Sequence, residues 1–200
     1  ADLTARAIHV QKQIIRKLAT TIAVTEKEKK ALAEQCVFQG IQLGKGGCHF
    51  IRKGRQDSLF CFDVASQYPR AIRNWKLLKT PQALTNWHEK MEERFAIKAL
   101  KGKPEYKPDL DLGYKVLVLN ALSGGFRIRT GVSVAYDPAA GEAMCYICQL
   151  CIIELALACP NWEDVIEINT DSVFVRGEEN AKVLRDKCNQ MLKKYDMFFE

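Results

Sequence analysis

The amino-acid sequence predicts an α+β fold, and two local patterns carry that prediction. Residues 164–175 contain two β-branched runs on either side of a polar tetrapeptide at 169–172, which is typical of a β-hairpin. Residues 58–63 form an apolar, β-rich run that predicts a buried strand. Several longer stretches before and after these strands carry helix start signals.

The first 76 residues are expected to alternate between helix and strand. Thr25 is a helix start, because Glu28 completes a capping box with it. The predicted elements here are an amphipathic helix at 3–19, a helix from Thr25, antiparallel strands at 48–52 and 58–63 joined by a basic loop, and a short helix at 69–76.

The later part of the chain is predicted to be mostly helical. Thr80-Pro81 and Asp137-Pro138 are strong helix starts, since Thr and Asp cap helices and Pro is favoured in the first turn. The predicted elements here are helices from 81 to about 101, from about 111 to 123, from 138 through the stretch 143–159, and at 178–194, with short strands at 132–135 and 197–200.

Composition limits the class of protein without defining its function. The chain has 200 residues, enough for one domain or for one domain with a lobe. No apolar run reaches about 18 residues, so no transmembrane helix and no membrane partner are expected. A net charge of +6 is compatible with nucleic-acid binding and does not establish it.

The chain contains eight cysteines, of which Cys145, Cys148 and Cys151 form a C-x-x-C-x-x-C run. The run lies in the apolar stretch 143–159, where residues three apart on a helix share nearly one side and can act as small core residues. No second cluster completes a metal-ligand set with the usual spacing. The pattern therefore favours core cysteines in a reduced cytosolic protein over a metal site.

Two aspartates stand where predicted strands end. Asp63 follows the apolar run at 58–63, and Asp171 lies on the predicted hairpin turn. Asp63 could serve as a helix cap, with Ser66 or Pro69 marking the helix start, or as a metal ligand. Two strand-end acids that meet in space can hold two divalent cations roughly 3.5–4 Å apart for an in-line phosphoryl displacement.

Three segments in this order resemble the conserved motifs of the family B DNA polymerases. Asp63 to Pro69 resembles motif A, residues 115–125 resemble motif B, and residues 169–172 resemble motif C. The likeness is to polymerases encoded by bacterial viruses and prophages, and it extends from about Gly40 to residue 200. The resemblance implies template-directed addition of nucleotides to a primer, with primer–template DNA and dNTPs as partners, in the cytoplasm of a bacterial host.

The resemblance also implies roles for individual residues. Asp63, Asp171 and the Val64 carbonyl would hold two Mg²⁺ ions, for which Mn²⁺ could substitute. The residues implied to bind the nucleotide are Ser66, Gln67, Tyr68 (under the sugar), Arg94, Lys98, Lys115 and Asn120. Asn169, Thr170 and Ser172 would support motif C. Gly46 and Gly47 would lie near the template strand; the less favoured alternative is that residues 40–47 form a plain turn before a strand.

The implied fold is a polymerase palm, an antiparallel sheet with helices on one face, carrying a short helical-hairpin fingers lobe. The implied segments are N-terminal helices at 1–39, the palm at 40–76 and 126–200, and reduced fingers at 77–125. An exonuclease domain and a thumb are expected to belong to a longer polymerase. From the residues alone, Arg94 and Lys98 favour a solvated helix face or pairing with Glu89 and Glu93.

The chain departs from the family pattern at three positions. Asn169 stands where many members have Asp, and Ser123 where an aromatic residue is usual. Lys115 and Asn120 are five residues apart instead of four, which would turn Lys115 by about 100° on an α-helix unless a π-bulge absorbs the extra residue. The departures favour, as an alternative, a decayed polymerase that binds nucleic acid. A reverse transcriptase palm fits less well, because Thr170-Asp171 replaces two adjacent aspartates.

Overall fold

A computed structural model describes residues 37–38, 40–44, 46–54, 58–128 and 135–200. The predicted helices at 3–19 and from Thr25, and most of the predicted strand at 132–135, lie outside these ranges. The chain divides into two compact units. The first contains the described part of residues 1–65 together with Cys145–Glu200, and the second is Ser66–Met144.

The first unit is built on a six-stranded sheet in which every neighbouring pair is antiparallel. Its strands are β1 (Val37–Phe38), β2 (Ile41–Leu43), β3 (Cys48–Ile51), β4 (Leu59–Asp63), β5 (Val165–Asn169) and β6 (Ser172–Arg176). The strand order is β1-β2-β3-β5-β6-β4. The α+β class with an antiparallel sheet is therefore confirmed.

The strands at 48–52 and 58–63 were predicted as an antiparallel pair, and that pairing is wrong. β3 bonds to β5 and β4 bonds to β6, so the β5–β6 hairpin lies between them. The β4–β6 pairing covers all five residues of β4, from Leu59 opposite Arg176 to Asp63 opposite Ser172. The hairpin thus pairs with a strand along each of its two edges, β3 beside β5 and β4 beside β6.

Within the part of the chain that the structure describes, one face of the sheet is covered and the opposite face is largely exposed. Phe62, Ile168 and Val173 are buried, whereas their strand neighbours Cys61 and Asn169 are exposed. Helix α6 (Glu178–Tyr195) lies over the covered face, where the Arg185 guanidinium is 5.7 Å from the Phe60 ring centroid.

Helix α5 (Pro138–Ala156) carries the cysteine run, and Cys145, Cys148 and Cys151 are all buried. Their burial confirms the prediction that they are core residues. By length and hydropathy alone this helix could cross a membrane, but 61% of its most apolar window is buried within the protein, as in a core helix. Its Glu154 accepts a hydrogen bond of 2.6 Å from Lys187 on α6. A short 3₁₀ helix, Trp162–Asp164, leads from this region into β5.

The second unit contains most of the predicted helices. Helix α1 (Gln67–Asn74) begins two residues earlier than predicted, and α2 (Pro81–Lys98) ends three residues earlier. The Thr80 side chain accepts a hydrogen bond from the Ala83 amide, which confirms the predicted cap. The helix predicted at 111–123 is a continuous run of α3 (Pro108–Gly113), a π-helix (Tyr114–Asn120) and α4 (Ala121–Gly125).

Candidate functional site

The backbones of the two acidic motifs meet at one end of the sheet. β4 ends at Asp63, whose partner on β6 is Ser172. Thr170 and Asp171 form the turn between β5 and β6, and the Val64 amide donates a 2.7 Å hydrogen bond to the Asp171 carbonyl. The structure therefore joins the two motifs through their main chains. We call Asp63, Thr170 and Asp171 the acid turn.

The backbone of Asp63 is also held from its other side. Asp63 and Glu200 exchange two main-chain hydrogen bonds of 3.1 and 2.8 Å, and the Ala65 amide donates to the Phe198 carbonyl at 2.9 Å. The strand predicted at 197–200 is thus an extended segment that makes a single β-bridge, between Val64 and Phe199. The main chain around Asp63 is thus held on both sides, by the bond of Val64 to Asp171 and by the bonds of Asp63 to Glu200, so the acid is held rigidly, as a metal ligand must be.

The side chains of the acid turn lie in an electronegative region. Asp171 is exposed and Asp63 is half-buried. Cys61 lies two residues before Asp63 and is exposed, and the pKa of its thiol reflects the nearby negative charge. Burial raises the pKa of the Cys61 thiol, and the negative charges of Asp63, Asp171 and Glu167 raise that pKa further. Three carboxylates therefore lie close enough to Cys61 to act on it together.

The oxygen donors of the acid turn suit a hard cation such as Mg²⁺. Asp63 and Asp171 offer carboxylates, and Mg²⁺ is commonly bound by one or two carboxylates together with water and substrate phosphate. Among the described residues, no group of three or more His, Cys, Asp or Glu side chains is arranged to hold a metal ion. The residues present thus fit a cation that substrate and water help to bind, and they do not form an all-protein cage.

The glycine-rich segment lies against the acid turn. A Cβ atom added to Gly47 would lie 2.8 Å from Cγ2 and 2.9 Å from Cβ of Thr170, and closer still to Oγ1, so the position requires glycine. A Cβ added to Gly46, by contrast, would meet no atom within 4 Å. The template contact implied for both glycines stays a prediction. The contact between Gly47 and Thr170 was not foreseen from the sequence.

A buried glutamine holds the same glycine segment from the helical side. Gln149 on α5 is fully buried, and its Nε2 donates to the carbonyls of Gly44 at 2.6 Å and Gly47 at 3.0 Å. The Gly47 carbonyl also accepts from the Gly44 amide at 2.8 Å. The sequence could have indicated this role, because Gln149 is the one glutamine in an apolar helix and a buried amide is nearly always hydrogen-bonded.

Asn169, which replaces an aspartate of the family pattern, makes two hydrogen bonds on the open face. His49 Nδ1 lies 3.2 Å from Asn169 Oδ1, and Asn169 Nδ2 donates to Glu167 Oε1 at 3.0 Å. The amide therefore supports the hairpin by linking β3 and β5. The supporting role implied for Asn169 in motif C stays a prediction, and its partners His49 and Glu167 were not foreseen from the sequence. Ser172, which with Asn169 and Thr170 was implied to support motif C, is buried.

In the second unit, the segment after Ala65 begins with a strained residue. Ser66 has a φ of 56°, in the left-handed region that non-glycine residues seldom occupy. It precedes α1 without a capping hydrogen bond from its side chain, and its hydroxyl instead accepts a 2.7 Å hydrogen bond from Arg94 Nη1. A non-glycine residue in this conformation needs support from its surroundings, and Arg94 supplies part of it.

Arg94 is buried, with 6% of its surface exposed. Its Nε lies 3.2 Å from Asp111 Oδ1, and Asp111 also accepts a 2.8 Å hydrogen bond from the Tyr106 hydroxyl. Two environments were predicted for Arg94 from the residues alone, a solvated helix face and a pairing with Glu89 and Glu93. Both predictions are wrong. Glu93 instead accepts hydrogen bonds from Lys90 and Tyr114. Asp111 could not be identified as the partner because it lies on a different helix.

Helix α1 is fixed to α2 by two further contacts. Trp87 Nε1 donates to the Pro69 carbonyl at 3.2 Å, and the Arg70 guanidinium lies 4.8 Å from the Phe95 ring centroid. These contacts set the position of the first turn of α1, which carries two of the nucleotide-binding candidates. Gln67 is buried there and Tyr68 is half-buried.

Lys115 and Asn120 both lie on the π-helix and are exposed. In a π-helix the backbone hydrogen bonds join residues five apart, and in an α-helix they join residues four apart. A residue five positions along a π-helix therefore lies on the same face as a residue four positions along an α-helix. The π-bulge that would absorb the extra residue is therefore present. Ser123 donates a 2.7 Å hydrogen bond to the Asn120 carbonyl, at the point where α-helix resumes. Lys98, the remaining candidate, is half-buried at the end of α2.

Comparison with models of protein families gives no match to this chain. Comparison with curated protein sequences also gives no match. The fold class and the geometry of the two units are therefore the basis for inferring function.

Proposed function

We propose that the protein adds nucleotides to a primer 3′-hydroxyl under the direction of a template, as a member of the polymerase class that its motifs resemble. The observation that carries the proposal is the main-chain junction of the acid turn. Two aspartates from distant parts of the sequence stand at adjoining strand ends, joined by the Val64–Asp171 hydrogen bond. Such a pair is what two-metal phosphoryl transfer requires. In this proposal the antiparallel sheet is the palm.

Asp63 and Asp171 would hold the cations, with the Val64 carbonyl as a third oxygen ligand. Bound Mg²⁺ would lower the pKa of the attacking hydroxyl and neutralise charge on the triphosphate. The backbone bonds of Val64 to Asp171 and of Asp63 to Glu200 would keep the Asp63 carboxylate in place during this step. Preorganised ligands of this kind avoid reorganisation when charge develops in the transition state.

The second unit would supply the groups that bind the nucleotide. Lys115 and Asn120 are exposed on the π-helix, and Lys98 would add a further cation to the triphosphate. Ser66 and Gln67 would offer main-chain amides to phosphate, and Tyr68 would lie under the sugar, where a ribose 2′-hydroxyl would clash.

Arg94 has a different part in this proposal from the one implied by the motifs. Its guanidinium is bonded to Ser66 and paired with Asp111, so it would act on the nucleotide through the conformation of Ser66. Direct binding of triphosphate would require the Arg94–Asp111 pair to open. Breaking a buried pair is costly, because it leaves the remaining charge unpaired.

Single-nucleotide primer extension tests the proposal. The wild-type chain, at high enzyme concentration and low salt, should add one nucleotide to a labelled primer–template in the presence of Mg²⁺ or Mn²⁺. The double variant Asp63→Ala and Asp171→Ala should add none while it keeps its melting temperature. Equal extension by both proteins would show that the acid turn does not perform the chemistry.

A second candidate function is binding of nucleic acid without catalysis. The burial of Arg94 favours it, because one predicted triphosphate ligand is already bound within the protein. Fluorescence anisotropy with the same primer–template at two salt concentrations would measure this activity. Binding that weakens steeply with salt, as phosphate contacts require, together with no extension by the wild-type chain, would select this second function.

A further inference from the structure

The turn that carries Asp171 lacks the conformation that usually stabilises a short hairpin. Two-residue hairpin turns are most often of types that need a positive φ at one or both turn residues. Neither Thr170 nor Asp171 has a positive φ. Among the described residues other than glycine, a positive φ occurs at Ser58, Ser66, Lys76 and Asp196. Contacts with other parts of the chain can therefore contribute more to the position of this turn than they do in the favoured types.

Contacts from two directions meet at this turn. On one side, the Val64 amide bonds to the Asp171 carbonyl at 2.7 Å. On the other side, Gly47 lies so close to the Thr170 side chain that no Cβ fits between them. The position of Asp171 is thus set partly by a glycine from the loop before β3.

Gly47 in turn is held by Gln149. Both hydrogens of an amide nitrogen can be donated, and Gln149 Nε2 has two acceptors, the carbonyls of Gly44 and Gly47. Gln149 Oε1 is buried and has no hydrogen-bond partner among the described residues. An amide that is wholly buried with one atom unsatisfied is costly, so its two bonds to the loop must compensate.

We propose that Gln149 and Gly47 are positioning residues for the metal ligand Asp171, acting through Thr170. This inference rests on the proposed function, since it assumes that Asp171 binds a cation. Gln149 fixes the loop, Gly47 allows the loop to reach Thr170, and the Thr170 contact fixes the turn. None of these three residues needs to touch the cation.

Direct titration with Mn²⁺ tests this inference without relying on polymerase activity. Mn²⁺ affinity of the folded chain would be measured by electron paramagnetic resonance for the wild type, Asp171→Asn, Gly47→Ala and Gln149→Met. Loss of an outer-shell partner typically weakens metal binding about 10- to 100-fold, and we expect losses of that size for Gly47→Ala and Gln149→Met. Circular dichroism would confirm that each variant is folded at the temperature of the titration.

Gly113→Ala is the matched control for glycine replacement. A Cβ at Gly113 meets no atom within 4 Å, and its φ of −58° suits alanine. This variant should bind Mn²⁺ as the wild type does. Weakened binding by Gly113→Ala, to the same extent as by Gly47→Ala, would show that the effect is not specific to the acid turn and would overturn the inference.

A double-variant cycle tests whether Gly47 acts through Thr170. In a Thr170→Gly background the side-chain atoms that would clash with an added Cβ are absent, so Gly47→Ala should change Mn²⁺ affinity much less than it does in the wild type. Thr170→Gly also serves if Gly47→Ala alone fails to fold, because it removes the contact without adding atoms. An undiminished effect of Gly47→Ala in this background would overturn the route through Thr170.

The remaining outcomes separate the inference from the proposed function. If Asp171→Asn binds Mn²⁺ as tightly as the wild type, Asp171 is not a ligand and both fail. If Asp171→Asn loses Mn²⁺ but Gly47→Ala and Gln149→Met retain it, the positioning inference fails and the metal site stands. Loss in all three variants, with a smaller effect of Gly47→Ala in the Thr170→Gly background than in the wild type, supports both.

Discussion

The acid turn and the helical hairpin of α2–α4 hold their polar residues in opposite ways. In the acid turn, main-chain hydrogen bonds fix the position and the Asp171 side chain is left exposed. In the helical hairpin, a charged side chain itself fixes the position. Arg94 is buried and links Ser66 to Asp111.

The comparison distinguishes two kinds of charged side chain, those that stabilise the fold and those that are available to a ligand. An exposed carboxylate on a backbone-supported turn contributes little to stability and can bind a cation. A buried guanidinium with two partners contributes to stability and cannot easily be moved. The following predictions test this contrast, beginning with the largest expected effect.

Arg94→Ala should lower the free energy of unfolding by about 3–5 kcal/mol, the usual cost of breaking a buried ion pair by removing one partner. Urea denaturation would measure the change. Lys90→Ala is the control, because Lys90 forms an exposed pair with Glu93 on the same helix and should affect stability little. If Arg94→Ala is as stable as Lys90→Ala, Arg94 is not structural and the contrast with the acid turn is lost.

Exchanging Lys115 and Val116 (Lys115→Val with Val116→Lys) should weaken binding of Mg²⁺–dATP about 10- to 100-fold, or roughly 1.5–3 kcal/mol for one charge-assisted hydrogen bond. The exchange makes the spacing to Asn120 four, which on a π-helix moves the lysine out of line with Asn120. Isothermal titration calorimetry would measure the affinity.

Deleting Leu117, which is 76% exposed, is the matched control for this exchange. The deletion also makes the spacing four, but it should convert the π-helix to α-helix, on which four is the right interval. Affinity should then be close to that of the wild type. Equal binding by the exchange variant and the wild type would mean that helical phase at Lys115 does not matter.

Thr80→Ala should cost about 1 kcal/mol of stability, the typical loss for an N-cap residue. The Thr80 hydroxyl accepts a 3.1 Å hydrogen bond from the Ala83 amide, which would lose its partner. Chemical denaturation would detect the change. Gln82→Ala, on the same turn and exposed, should cost less. A larger loss for Thr80→Ala than for Arg94→Ala would reverse the ranking of local caps and buried pairs in this hairpin.

Asp171→Asn should change the free energy of unfolding by less than about 0.5 kcal/mol, as for most exposed surface positions, while it abolishes primer extension. Thermal melting and extension would be measured on the same sample. A marked loss of stability would place Asp171 with Arg94 as a structural residue. The acid turn would then not differ from the helical hairpin.

Features that depend on neighbouring residues were predictable from the sequence. The β5–β6 hairpin follows from two β-branched runs around Asn169–Ser172, and the start of α2 follows from Thr80-Pro81. The extra residue between Lys115 and Asn120 was visible as a change of spacing, and the π-helix is one of the two outcomes it allowed.

Features that depend on distant residues were not predictable. The order of strands in a sheet is decided by pairing between remote segments, and for this reason β3 and β4 were wrongly expected to be neighbours. Gln149 and Gly47 are 102 residues apart in sequence, so no local pattern links them. The burial of Arg94 likewise depends on Asp111 from another helix.

The π-helix also affects how this chain can be aligned with others. An added residue absorbed as a π-helical turn lengthens the chain by one while the flanking helices keep their direction, and π-bulges are frequent at functional sites. A sequence in which the same helix is entirely α would need a gap of one opposite the residues between Lys115 and Asn120. An ungapped alignment would place Lys115 against a residue on another face. Helical phase, and not residue count, is the better guide to which lysine corresponds to Lys115.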